Sequence, residues 1–217
     1  VMIPNGQDLA EIPRLQERQP NAVPVFGFCG RMDAYHKGLD LLLQAFRDLI
    51  ANGTAARLLL IGDGADRPKL EQYCQDNGLH EFVEFVGARY GAEKYTFLHQ
   101  ADFFVHTSRM EGFPIAVLEA AGLGLPPITT PPTSMNRYLR RYDAGLPVNE
   151  VSVPAISRSL AQACALFNSL EHEGLRRNAR WMIGQAFDWA DIAEKKGMDV
   201  RHRERILKGK GVLFYKP

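Results

Sequence analysis

DFFVHTSRMEGFPIAVLEAAGLGLPPITT, Asp102–Thr130, is the stretch on which the fold turns. It opens with an apolar run of strand length and breaks at a polar turn. It resumes as a helix behind Pro114, a residue favoured in a first turn, and closes on a short second run, PPITT. The apolar runs do not alternate with polar residues, as a half-exposed strand would, so both are predicted to be strands buried on both faces. Between Phe113 and Ile128 the only polar side chain is Glu119. An unpaired buried carboxylate is costly, so this one is expected to meet a ligand's hydroxyls or a cation. Glu111 stands ahead of the same helix, and Gly112 lets a ligand approach the backbone. Two carboxylates bracketing a helix N-terminus suit a polyhydroxylated anion; the plainer reading is that Glu119 only bonds neighbouring backbone groups.

The same strand–helix pattern continues on either side. VPVFGFCG (Val23–Gly30), RLLLIGDG and FVEFVG read as buried strands. GLDLLLQAFRDLIANG places Leu39, Leu42, Leu43, Phe46 and Leu49–Ile50 at helical spacing and stops at Asn52–Gly53. A helix from about Asp66 to Asn77 is closed by Gly78, and GAEKYTFLHQ is helical. This order predicts an α/β fold, a doubly wound parallel sheet of Rossmann-like type, followed by C-terminal helices from Val153 onward. Trp181 and Trp189 are expected to pack against the sheet. The domain reading is a linker over 1–12, a ligand-binding domain over 13–187 and a C-terminal helix and tail over 188–217.

With 217 residues, 46% of them hydrophobic, the chain can bury a full core. Lys plus Arg (26) and Asp plus Glu (25) nearly cancel, so no global field recruits nucleic acid. Cys29, Cys74 and Cys164 form no metal-ligand pattern and no disulfide framework, which predicts a reducing, cytoplasmic setting. No run reaches the roughly 18 uncharged apolar residues of a membrane span, and no signal peptide is visible. Because the chain starts at Val1, it is expected to be a piece of a longer protein.

In a doubly wound sheet ligands bind beyond the carboxyl ends of the strands. Gly30, Arg31 and Lys37 follow the first strand, Gly62 and Gly64 the second, Arg89 the third, and Ser108 and Glu111 the fourth. Lys37 precedes a helix whose N-terminal dipole disfavours a cation, which is better explained if an anion shares the site. Arg31 could reach the same anion with bidentate geometry, and the pair is read as a diphosphate clamp; the alternative is that both are solvated surface cations. Gly62-x-Gly64 lacks the third glycine of a dinucleotide fingerprint, since Arg67 stands there, and signals only close backbone approach. The six histidines show no paired ligand spacing. His106 reads as a hydrogen-bonded strand-end residue.

Taken in order, GRMDAYHKGLDLLLQAF, LLLIGDG, VEFVGAR and HTSRMEGFPIAVLEAAGLGLP resemble the C-terminal, donor-binding lobe of retaining GT-B glycosyltransferases of the "glycosyl transferases group 1" family. The resemblance covers roughly Asn5 to Trp189. It implies that Arg31 and Lys37 hold the donor's diphosphate, that Glu111 contacts the donor sugar and stabilises its developing positive charge, and that Glu119 binds the ribose hydroxyls. Backbone N–H groups of Gly112, Phe113 and Ile115 would meet sugar and phosphate oxygens, whereas Pro114 has none to give. Gly87–Ala88–Arg89 would lie against the nucleobase, and Asn5–Gly6 in the interlobe linker. The implied donor is a UDP-, GDP- or ADP-sugar, with no cofactor and no metal required. The acceptor would be bound by an N-terminal lobe that this sequence lacks, so the isolated chain is expected to be inactive. Peripheral association of the full-length protein with the inner face of a membrane is admitted.

Two departures stand out. Where the family commonly has a glycine pair after the fifth strand, this chain has TTPPTSMNRY, with Thr133 and Ser134 expected to serve in its place. The other is the missing lobe, which leaves two rival readings: a non-catalytic nucleotide-sugar-binding module and a GT-B sugar-nucleotide epimerase. A dinucleotide-dependent oxidoreductase ranks last, for want of the third glycine and an acidic ribose anchor.

Overall fold

The computed structural model describes residues 12–13 and 19–188. Nearly all of the expected linker, Trp189 and the tail beyond it lie outside the described residues. Among the described residues six parallel strands form one sheet: β1 (Val25–Cys29), β2 (Arg57–Ile61), β3 (Val83–Gly87), β4 (Phe103–His106), β5 (Pro127–Thr129) and β6 (Leu146–Pro147). Their spatial order is β3-β2-β1-β4-β5-β6. The chain therefore builds outward from β1 in one direction, then returns to its other edge with β4. The doubly wound reading holds.

Among the described residues seven α-helices cover the faces: α1 (Leu39–Ala51), α2 (Arg67–Asp76), α3 (Gly91–Leu98), α4 (Ile115–Gly122), α5 (Asn136–Tyr142), α6 (Val153–Leu166) and α7 (Leu170–Ala186). One core packs α1, α2 and α6 against Phe26, Phe28, Leu58 and Leu60. The other packs α3, α4, α5 and α7 against Val25, Leu59, Ile61 and Phe104. Every residue of β1 is buried, because successive side chains enter opposite cores; this is why its sequence shows no polar alternation.

The helix ends follow local chemistry. Ser152 and Ser169 cap α6 and α7 by accepting from the N–H groups of Ala155 and His172, whereas α1 to α4 have no side-chain cap. Pro114 is the N-cap of α4, one position ahead of its first turn. Two elements were not foreseen, α5 and the two-residue β6. Trp181 does not pack on the sheet: it is 57% exposed, its ring edge-on to Tyr142 at 5.3 Å. Among the described residues, no helix is long and apolar enough to cross a membrane.

Candidate functional site

The strand order reverses between β1 and β4, and a crevice opens beyond their carboxyl ends. Two loops meet there, one from β1 to α1 and one from β4 to α4. Arg109 binds them together. Its guanidinium donates to both Asp40 oxygens at 2.7 and 2.8 Å and to the Tyr35 carbonyl at 2.9 Å, and its backbone N–H donates to the His36 carbonyl. Thr107 Oγ1 donates to the carbonyls of Lys37 and Gly38. Gly38 has φ 65°, and a Cβ there would land on the Thr107 carbonyl, so only glycine permits this approach.

The clamp brings Lys37 to Glu111. Lys37 Nζ donates to Glu111 Oε2 at 2.6 Å, Ser108 Oγ donates to the same oxygen at 3.2 Å, and His106 Nε2 lies 2.8 Å from it. Burial alone would raise the Glu111 carboxyl, but the hydrogen bonds of His106 and Lys37 and the Lys37 charge outweigh it and hold the group at about 2. Glu111 is therefore a fixed negative charge at neutral pH. Burial pushes the His106 imidazole below its ordinary value, against the pull of Glu111. The neutral ring donates from Nε2 to the carboxylate, which leaves Nδ1 as a buried acceptor with no hydrogen-bond partner. Its plane is set by stacking with Phe28 and Phe104 at 5.8 and 6.1 Å. The anion beside Lys37 in this structure is the chain's own carboxylate, Glu111.

Arg31, Lys37, Glu111 and Gly112 line an open cleft of about 590 Å³, with His36, Met110 and Pro132. Lys37 is largely buried by its ion pair, but Arg31 keeps 70% of its side chain exposed and, among the described residues, pairs with Asp33 at 3.5 Å. Gly112 is open, with nothing near the space a Cβ would take. Ile115 N–H donates to the Phe113 carbonyl at 3.0 Å, so it meets a ligand only if that turn opens. Pro114 is buried and Phe113 leans on Phe187. The close approach signalled by Gly62 and Gly64 is to the neighbouring loop: a Cβ at either would strike the carbonyl of Gly30 or of Met32. Gly30 N–H is spent on the Ile61 carbonyl. Arg89 pairs with Glu93 and covers the Phe97 ring.

Glu119 forms a second cluster. Lys94 Nζ donates to its Oε1 at 2.7 Å and Tyr95 Oη to the same oxygen at 3.2 Å. The cation expected beside Glu119 is Lys94, which sequence reasoning did not single out. It occupies an unremarked position in GAEKYTFLHQ, and only the tertiary packing of α3 beside α4 brings it across. Among the described residues no three His, Cys, Asp or Glu side chains gather as metal ligands would, and all three cysteines are free.

Comparison with known proteins agrees with this fold. A family model described as "Glycosyl transferases group 1" matches residues 23–165. A GDP-mannose-dependent alpha-mannosyltransferase of Mycobacterium tuberculosis is 35% identical over 60% of this chain and 32% of its own length. Among solved structures, the Anabaena protein HepE, in complex with UDP and glucose, shares the fold at TM-score 0.74 and 19% identity, covering 90% of this chain and 55% of its own. The C-terminal domain of a glycosyl transferase group 1 family protein from Francisella tularensis matches at TM-score 0.72 and 20% identity, over 84% of this chain and 99% of that domain. The chain spans about a third to a half of the length of such curated relatives.

Proposed function

We propose, from the premise that this chain belongs to the glycosyl transferases group 1 family, that it is the donor-binding lobe of a retaining transferase that uses a nucleotide-diphosphate sugar. The observation that carries the reading is the Lys37–Glu111 pair at the crevice between β1 and β4. It sets a cation suited to phosphate beside a carboxylate that stays ionised. The match to a solved C-terminal domain supports the lobe assignment. The mannosyltransferase relative and the UDP-bound neighbour support a nucleotide-sugar donor.

The chemistry follows from charge. As the bond between the anomeric carbon and the phosphate oxygen breaks, the sugar becomes cationic and the diphosphate gains negative charge. Lys37, Arg31 and the uncapped start of α4 offset the charge on the leaving group, without recourse to a metal. Glu111 faces the cationic sugar as a fixed carboxylate, and its low pKa excludes it as the proton donor near neutral pH. Lys37 must share or leave Glu111 to reach the diphosphate. Oε2 of Glu119 takes the ribose, and the Gly87–Arg89 loop lies against the base. An acceptor is held by a further lobe.

Titration of the 217-residue chain with UDP, GDP and ADP tests this. One of the three is expected to bind, and Lys37→Ala or Arg31→Ala should each weaken it by about 1.5–3 kcal/mol, the range for hydrogen bonds to charged groups. The exposed Arg31 belongs at the low end. The matching nucleoside should be affected far less. Sugar transfer by the chain alone is not expected. Three flat titrations, or two variants that bind like the parent, would overturn the donor site, and transfer by the purified chain would overturn the division between lobes.

A further inference from the structure

The Glu119–Lys94 pair is poorly explained by stability. Lys94 stands in the first turn of α3, where the helix dipole opposes a cation. Ordering a long lysine side chain costs entropy, and a buried ion pair often contributes no more than apolar residues of the same volume would. Yet the pair is nearly buried, with 19% of the Lys94 side chain and 11% of the Glu119 side chain exposed, and its geometry is specific. Lys94 Nζ also lies 4.9 Å from the centroid of the Tyr95 ring, so the tyrosine contacts both partners. Both of these bonds to Glu119 fall on Oε1, and Oε2 takes neither. Cys29, the last residue of β1, feels the charges of both partners. The pair therefore lies near the carboxyl end of β1.

We propose that Lys94 is a positioning residue of the nucleoside subsite: with Tyr95 it fixes Glu119 through Oε1, so that Oε2 is presented to the paired hydroxyls of a ribose. This rests on the reading of Glu119 given above and adds the residues that make the carboxylate selective. A carboxylate held by one oxygen accepts from a vicinal diol with the other in a set direction; a freely rotating one does not discriminate as well. The loop of Arg89 runs directly into α3, so the same short segment carries the base contact and the anchor of the ribose contact.

The test is a titration of the 217-residue chain with UDP, GDP and ADP and with the 2′,3′-dideoxy counterpart of whichever binds tightest. Inorganic pyrophosphate serves as the control for an intact phosphate clamp. The parent should prefer the ribose form by about tenfold, the worth of one such hydrogen bond. Glu119→Gln should remove most of that preference. Lys94→Met should do the same while pyrophosphate affinity stays within about twofold of the parent, a spread too small to register as a lost hydrogen bond. Lys94→Arg should restore it, and Lys94→Met in the Glu119→Gln background should change nothing further. If Lys94→Met does not fold, Tyr95→Phe removes one bond to the same oxygen without a charge and should give a partial loss. Full preference in Lys94→Met, or in Tyr95→Phe should that variant stand in, refutes the positioning role and leaves the Glu119 reading intact. Full preference in Glu119→Gln refutes both.

Discussion

Glu111 shows how three short contacts fix the state of one residue. Its carboxyl sits at about 2 in the folded chain against an ordinary 4.5, so the unfolded state binds the proton more readily. The pair therefore contributes stability above about pH 4.5, and that contribution is lost as pH falls toward 2. The burial-depressed imidazole of His106 acts in the same sense, with its contribution present above 6.5 and lost on acidification. Glu111→Gln keeps the shape but removes the titration, so melting temperature should fall less steeply below pH 4.5 than in the parent. Parallel acid limbs in a pH series of thermal melts would show that Lys37 and His106 do not hold the carboxylate. The sequence made Lys37 and Glu111 legible because each was locally anomalous, a cation ahead of a helix and a carboxylate at a strand–helix turn. Lys94 is likewise a cation at a helix start, but the carboxylate that gives it meaning is 25 residues away in sequence and is reached only by a tertiary contact.

At the level of elements, the regular pieces were legible and the short ones were not. The helix read from GLDLLLQAFRDLIANG runs Leu39–Ala51 and ends at Asn52, and the one read from about Asp66 to Asn77 runs Arg67–Asp76. α5 is seven residues of largely polar sequence, NRYLRRY, and β6 is two residues long, so neither carries a period to detect. Where the family's glycine pair is replaced, Ser134 takes φ 60°, a glycine-like backbone at the end of the Pro131–Thr133 turn. The loops themselves can be tested at two glycines. Gly38 and Gly53 both have positive φ, but only Gly38 faces a carbonyl, while Gly53 has nothing within 4 Å. Gly53→Ala should cost about 1–2 kcal/mol, the left-handed penalty. Gly38→Ala should cost clearly more in denaturant melts and should also weaken nucleoside diphosphate binding, because it displaces Lys37. Equal costs would mean that the clamp between the two loops is loose.

Across the whole molecule, the position of β1 has a consequence for how the chain is made. β1 is the first described strand to be synthesised, yet it ends in the middle of the sheet, with Phe26 paired to Leu58 on one side and Phe103 on the other. One edge is closed early by β2. The other stays open until β4 leaves the ribosome, a wait on the order of several seconds at translation speed. During that interval an entirely apolar strand, VFGFC, offers an unpaired edge of the kind that recruits other chains. Ribosome-arrested chains that stop short of Phe103 should therefore be held by chaperones or aggregate when released. Chains extended through β5, past the Phe104–Pro127 and Val105–Ile128 pairings, should be freed. Equal chaperone capture at both lengths in a pull-down series would show that the exposed edge of β1 is not what is recognised. A crevice placed where the winding reverses thus entails a nascent chain that needs protection until its fourth strand arrives.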